Sequence, residues 1–188
     1  MLERFKPLPE DTIRVTSDSL RDAIKGIFLA MGNSSEDAAE GANTLIMTDL
    51  RGVETHGVSN MLRSYVDGYN NGNLNPTPDL KVISDAPSVA TIDGDQGLAV
   101  ITGPKVMRIA IEKARNTGIG SVALFNTGHS GGIGHHAMLA VEEDMIGLVM
   151  TAAGCQVLPT FAAEPRIGTN PIAIAAPARK EPPFLFDA

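Results

Sequence analysis

The sequence has no tryptophan, a single cysteine and too few basic residues to balance its acidic ones. Its 188 residues include 15 Lys or Arg and 22 Asp or Glu, which gives a formal net charge of −7. Nucleic-acid-binding proteins need a basic face, so the sequence argues against a nucleic-acid partner. Cys155 has no second cysteine to pair with, which excludes an intrachain disulfide, and we expect it to be a small buried residue.

Long apolar runs are missing too. No stretch approaches 18 consecutive apolar residues, and the N-terminus has no apolar signal core. The sequence therefore predicts a cytoplasmic protein without a membrane span. What is present is an ordinary globular composition, 43% hydrophobic and 20% charged, which is enough to bury a core.

Hydrophobic periodicity divides the chain into two parts. After a short extended piece at residues 12–15, apolar residues recur at helical spacing in three segments, of which Ser17 and either Ser34 or Ser35 cap the first two. From residue 79 onward short strands alternate with helices, one of which has Pro104 at its first position and stops at Gly118. We therefore predict an α/β fold, with an N-terminal helical segment (1–78) followed by a mixed α/β layer (79–188).

A glycine-rich loop follows a predicted buried strand at residues 118–125. It carries glycines at 128, 131, 132 and 134, surrounds His129, and leads into another helix. A strand, a glycine loop and a helix start form a natural anion site, and a histidine there can exchange a proton near neutral pH. The spacing does not match the usual dinucleotide fingerprint, because no acidic residue follows about 20 residues later. A plain tight turn is an equally good interpretation.

A second cluster, at residues 51–58, interrupts the helices. His56 lies there beside Thr55, whose hydroxyl can hydrogen-bond to the imidazole. Arg63 follows two helical turns after His56, and an arginine is suited to a bidentate grip on a substrate carboxylate. Arg51 is the alternative clamp, and a solvated surface arginine is the simpler interpretation of either.

Three further groups of polar residues are candidates for binding. Thr169 and Asn170 lie in a loop at a strand start, and Asp187 ends an apolar strand, where a carboxylate can meet a histidine or a ribose. His135 and His136 are adjacent at a helix start, and we expect them on the helix surface. A zinc site using His129 and His135 lacks nearby carboxylate or cysteine ligands, so we predict no metal.

Five motifs in this order resemble the type-2 malate/L-lactate dehydrogenase family. They are RGVETHGV at 51–58, NTGHSGG at 126–132, MIG at 145–147, GTNPIA at 168–173 and FDA at 186–188. The resemblance spans nearly the whole chain. It implies a non-Rossmann nicotinamide-binding fold, NAD or NADP as cofactor, a small 2-hydroxy or 2-oxo acid as substrate, and a homodimer with active sites near the subunit interface.

The resemblance also implies roles for individual residues. His56 would donate a proton to the substrate carbonyl with the support of Thr55, although some members assign the acid/base role to the counterpart of His129. Thr169 would touch the substrate. The residues that would contact the cofactor are His129, Ser130, Gly131, Gly132, Ile133, Asp187 and Ala188.

Three departures from the family pattern matter. Many members have serine in place of Thr55, and many place the substrate arginine where this chain has Asn60, so Arg63 would take that part. The family pattern also continues beyond Ala188, and the chain resembles the first half or more of a longer enzyme. We therefore predict an NAD(P)-dependent 2-hydroxyacid dehydrogenase. The alternatives are a catalytically incomplete homologue, which keeps the dimer and part of the cofactor surface, and a metal-dependent hydrolase that uses the histidines.

Overall fold

A computed structural model describes residues 13–188, which form five α-helices, a 3₁₀ turn and six strands. Thr12, the first residue of the predicted extended piece, lies outside the described residues, and residues 13–15 belong to no strand. The elements are α1 (Ser17–Ala30), α2 (Ser35–Leu50), the 3₁₀ turn (Glu54–His56), α3 (Val58–Asn70), β1 (Lys81–Asp85), β2 (Val89–Asp93), α4 (Ala99–Thr117), β3 (Ser121–Phe125), α5 (Gly134–Val141), β4 (Gly147–Met150), β5 (Ile172–Ala176) and β6 (Phe184–Asp187).

Side-chain caps begin the first two helices. The Thr16 hydroxyl accepts the Ser19 N–H at 3.2 Å, so the cap lies one residue before the predicted Ser17. The Ser34 hydroxyl accepts the Asp37 N–H at 3.1 Å. Each bond satisfies one of the N–H groups that a helix start leaves without an intrahelical partner. The two helices then pack against each other.

Helix α4 begins earlier than the sequence suggested. It starts at Ala99, so the prediction that Pro104 occupies the first helical position is wrong. A proline inside a helix has no N–H to donate to the carbonyl four residues earlier. For Pro104 that acceptor is the carbonyl of Val100. The Thr44 hydroxyl of α2 lies 3.0 Å from that carbonyl and 3.0 Å from the Glu40 carbonyl, so its one hydrogen is shared between them and partly replaces the missing bond. The helix ends at Gly118 with φ +81°, as predicted.

The strands form two three-stranded sheets. In the first, β2 pairs antiparallel with β1 and parallel with β3. In the second, β5 lies between β4 and β6 and pairs antiparallel with both. The mixed α/β prediction is confirmed. The predicted buried strand at 118–125 is wrong in two respects, because β3 begins at Ser121 and none of its residues is fully buried. Strand β5 is buried on one face only, where Ala173 and Ala175 pack with α5.

The largest hydrophobic cluster joins the helical segment to the start of α4. Its buried members are Ile24, Phe28, Ala38, Ala42, Leu45, Ile46, Tyr65, Leu98, Val100 and Ile101. One core therefore contains residues from both sides of position 78, at which the sequence predicted a division into two domains. That division stays a prediction. No helix within residues 13–188 is long and apolar enough to cross a membrane.

Candidate functional site

The 3₁₀ turn that carries His56 is held between α2 and α3 by Asp49. The Asp49 carboxylate, near the end of α2, accepts the Val58 N–H at 3.1 Å and so caps α3 from another helix. A Cβ atom on Gly57 would overlap this carboxylate, so only glycine allows the close approach. Burial raises the pKa of Asp49, the bond from Val58 opposes that rise, and the nearby Glu54 adds to it.

His56 and His129 lie face to face. Their ring centroids are 5.5 Å apart and the ring planes differ by 16°. On the far side of the pair, the Thr55 hydroxyl lies 2.9 Å from Nδ1 of His56, as the sequence suggested. The fold thus brings together the two histidines that the sequence offered as alternative proton donors.

Tyr65 joins this pair from α3. Its hydroxyl lies 2.8 Å from Nδ1 of His129, and the Gly131 N–H donates to the same nitrogen at 3.2 Å. Tyr65 is only 2% exposed, and burial raises the pKa of its phenol, which therefore stays protonated. Partial burial of the ring lowers the pKa of His129, and the charge that His56 can carry lowers it further. Both effects favour the neutral form of the His129 imidazole.

The glycines of the loop allow close packing against the protein. Gly131 has φ +65°, and a Cβ there would lie 2.9 Å from Cγ2 of Val100. A Cβ on Gly132 would lie 2.7 Å from Cγ2 of Thr48. These two glycines therefore let the loop pack closely on α4 and α2.

The start of α5 already carries a carboxylate. The Gly134 N–H, the first of the helix, donates to Oδ2 of Asp187 at 2.8 Å. A carboxylate at this end of a helix is favourable because the partial positive charge of the helix lies there. Asp187 therefore occupies part of the anion site that the sequence predicted at this loop. Its observed hydrogen-bond partner is the backbone amide of Gly134.

His135 and His136 are buried, with 7% and 3% of their surfaces exposed, so their predicted place on the helix surface is wrong. The cause is that α5 is surrounded, since it packs against α2, α4, β4, β5 and β6. Nε2 of His136 donates to the Ser130 carbonyl at 2.9 Å and ties the helix to the loop. Gly103 on α4 leaves room for this ring. Burial lowers the pKa of both histidines to about 4.

A cleft of about 450 Å³ lies beside the loop. It contains a cation, Arg51, and an anion, Asp187. His135 also lines it, and Nε2 of this histidine has no hydrogen-bond partner within the described residues. The lining residues are Thr48, Arg51, Val53, Gly132, Gly134, His135, Leu185 and Asp187.

Within the described residues, neither Arg63 nor Thr169 forms a hydrogen bond with the histidine pair. Arg63 is exposed, and two residues along a helix correspond to a rotation of about 200°, so it faces away from Tyr65. Thr169 is exposed in the loop before β5, where its neighbour Asn170 accepts the Ala153 N–H at 3.0 Å. Cys155 is exposed in the long loop between β4 and β5, so the prediction of a buried thiol is wrong.

Known proteins share both this sequence pattern and this fold. A family model for malate/L-lactate dehydrogenase matches residues 15–188. The chain belongs to the malate/L-lactate dehydrogenase family. It is 47% identical over 178 residues to a malate dehydrogenase of Pyrococcus abyssi, which covers 95% of this chain and 49% of that protein. It is 40% identical over 154 residues to an L-sulfolactate dehydrogenase of Methanocaldococcus jannaschii, which covers 82% and 44%.

A solved member of the malate/L-lactate dehydrogenase family has the same backbone fold. The malate dehydrogenase of Pyrococcus horikoshii superposes with a TM-score of 0.92 at 46% identity, covering 97% of this chain and 52% of that one. The chain thus spans about half the length of these family members. The sequence-based assignment to this family and to its fold is confirmed.

Sequence reasoning missed two residues of this family member's site. Tyr65 gives no local signal, because its spacing fits an apolar helix face and nothing in the sequence pairs it with His129. Asp49 was missed because it lies inside α2, nine residues before Val58, where no local signal links it to the start of α3. Within residues 13–188, no group of three or more His, Cys, Asp or Glu side chains is placed to hold a metal ion.

Proposed function

We propose that the protein is an NAD- or NADP-dependent oxidoreductase that interconverts a small 2-hydroxy acid and the corresponding 2-oxo acid. The observation that carries the proposal is the stacked pair of His56 and His129 at the glycine loop, with His129 exposed to solvent. An imidazole can supply or remove the hydroxyl proton near neutral pH. The names of the relatives, malate and L-sulfolactate dehydrogenase, suggest the class of substrate.

The cofactor would lie along residues 129–133 and 187–188. This surface offers suitable polar groups, because Nε2 of His129 has no hydrogen bond within the described residues and the cleft beside Gly132 is lined by polar side chains. When bound, the nicotinamide ring supplies or accepts the hydride. His129, Ser130, Gly131, Gly132 and Ile133 would hold its ring side, and Asp187 and Ala188 would contact another part of the dinucleotide.

The substrate side would be formed by His56, Thr55 and Thr169. His56 would exchange the proton with the substrate oxygen, and the hydroxyl of Thr55, 2.9 Å from Nδ1, would orient the ring. Arg63 remains the predicted clamp for the substrate carboxylate, and Arg51 the alternative. Lysine substitutions separate them, because losing the bidentate grip raises KM at the arginine that holds substrate.

Two further expectations accompany the proposal. We expect a homodimer, which sedimentation equilibrium measures directly, and a cytoplasmic location. Neither expectation enters the argument for the chemistry.

Cofactor binding and turnover test the proposal together. We expect the purified protein to change the fluorescence of NADH or NADPH and to oxidise one of them when a 2-oxo acid is added. The alternative is a catalytically incomplete homologue, as the sequence also suggested. No binding at millimolar cofactor would support that alternative. Binding without turnover of any 2-oxo acid would place the defect on the substrate side.

A further inference from the structure

We infer that Tyr65 is a positioning residue that, together with the backbone amide of Gly131, holds His129 as the neutral tautomer with its proton on Nε2. Both groups meet the same ring nitrogen, Nδ1, at 2.8 Å and 3.2 Å. Tyr65 thereby determines that Nε2 is the nitrogen of His129 that can donate a hydrogen bond to a ligand.

The assignment follows from what each group can do. A backbone N–H can only donate, so Nδ1 of His129 must accept the bond from Gly131 and carries no proton. The Tyr65 phenol, kept protonated by burial, then donates to the same nitrogen. A neutral imidazole has one N–H, which leaves the proton on Nε2.

The surroundings make this arrangement rigid. Tyr65 is part of the largest hydrophobic cluster, and Gly131 is fixed on α4 by its contact with Val100. The loop is tied to α5 through the Ser130 carbonyl. The titratable groups that meet the His129 ring are Tyr65 from α3 and His56 from the 3₁₀ turn. The stacked geometry makes a second positive charge on the pair unfavourable, which favours a neutral His129 ring.

The consequence for chemistry rests on the proposed function. Nε2 of His129 would present an N–H donor to a carbonyl oxygen, which an imidazole held in one tautomer does without reorganisation. The proton that is exchanged during turnover would then belong to His56. The structure thus divides between the two stacked rings the roles that sequence reasoning left as alternatives.

Nitrogen-15 NMR of the histidine side chains in the intact protein tests the tautomer without any activity measurement. We expect His129 at pH 7.5 to show a protonated Nε2 and an unprotonated Nδ1. In Tyr65→Phe, which keeps the ring but removes the hydroxyl, the ratio of the two tautomers should fall roughly 2- to 10-fold, the equivalent of one neutral hydrogen bond. The titration midpoint of His129 should also move to higher pH.

Tyr69→Phe is the matched control. Tyr69 lies one turn later on α3, and its hydroxyl bonds Asn33 at 3.2 Å instead of a histidine. This variant loses a hydroxyl in the same core, so it should leave the His129 signals unchanged. A wild-type His129 protonated on Nδ1, or equal His129 signals in wild type and Tyr65→Phe, would overturn the inference.

The pH profile of kcat/KM separates this inference from the proposed function. We expect Tyr65→Phe to lower kcat/KM at pH 7.5 roughly 3- to 10-fold and to move the profile, and Tyr69→Phe to do neither. If the NMR result is as expected and the protein does not turn over 2-oxo acids, Tyr65 positions His129 and the proposed function fails. If turnover is present and Tyr65→Phe leaves the profile unmoved, the role of Tyr65 in catalysis is refuted.

Discussion

Replacing Gly57 by alanine should loosen the segment that carries His56. The backbone at Gly57 has φ −89°, which alanine adopts without strain, so any cost arises from the new methyl group. That methyl would overlap the Asp49 carboxylate, which must move and lose its bond to the Val58 N–H. A hydrogen bond to a charged group contributes about 1.5–3 kcal/mol, so we expect the free energy of unfolding to fall by about 2 kcal/mol. For a chain of this length, that lowers Tm by about 4–8 °C.

A double-mutant cycle with Asp49→Ala isolates this contact. In the Asp49→Ala background the carboxylate is gone, and Gly57→Ala should cost less than about 1 kcal/mol, the usual effect of alanine at a helix N-cap. Thermal and urea unfolding of the four proteins measure the cycle. If Gly57→Ala lowers the free energy of unfolding equally in both backgrounds, the methyl group does not act through Asp49, and this prediction is wrong.

Four more outcomes are expected from the same structure. His56→Ala should lower turnover about 100-fold or more and leave cofactor affinity within about threefold, as measured by steady-state kinetics and fluorescence titration. Burial lowers the pKa of His135 to about 4, so the unfolded chain binds a proton at this histidine more readily than the folded protein does. The contribution of His135 to the free energy of unfolding is therefore complete above pH 6.5 and is lost as the pH drops from 6.5 towards 4. The fall in stability should be shallower in His135→Leu. Gly131→Ala should destabilise more than Gly72→Ala in urea unfolding, because both have positive φ and only Gly131 meets a neighbour within 3 Å. Cys155 should react with a thiol reagent at the rate of an exposed cysteine in the folded protein.

Local signals in the sequence predicted the N-terminal helices and the ends of several helices well. Ser34 and Gly118 act through bonds to nearby backbone or through a permitted φ, and such effects are visible in short windows of sequence. Pro104 misled the prediction of the start of α4, because its cost is offset by Thr44, a residue from another helix. Such compensation is a tertiary effect and leaves no mark near the proline.

Whether the site residues are buried depends on which other parts of the chain pack over them, and the sequence near each residue does not show this. His135 and His136 were expected at the surface, because adjacent residues cannot share one face of a helix. In α5, however, six of eight residues are buried, so both faces are covered. Cys155 shows the opposite error, because the loop around it leaves the thiol open to solvent. Motif order found His56 and His129 as candidates, whereas their stacking and the bond from Tyr65 needed the fold.

Transfer of a labelled hydride tests directly whether the protein is a nicotinamide-dependent oxidoreductase. NADH and NADPH carrying deuterium at both hydrogen positions of C4 of the nicotinamide ring would be incubated with the protein and a 2-oxo acid, and the product analysed by mass spectrometry. We expect one deuterium on the carbon that gains the hydroxyl group, and a rate at least about 100-fold lower in His56→Ala. Product without deuterium, or no product although the cofactor binds, would contradict it.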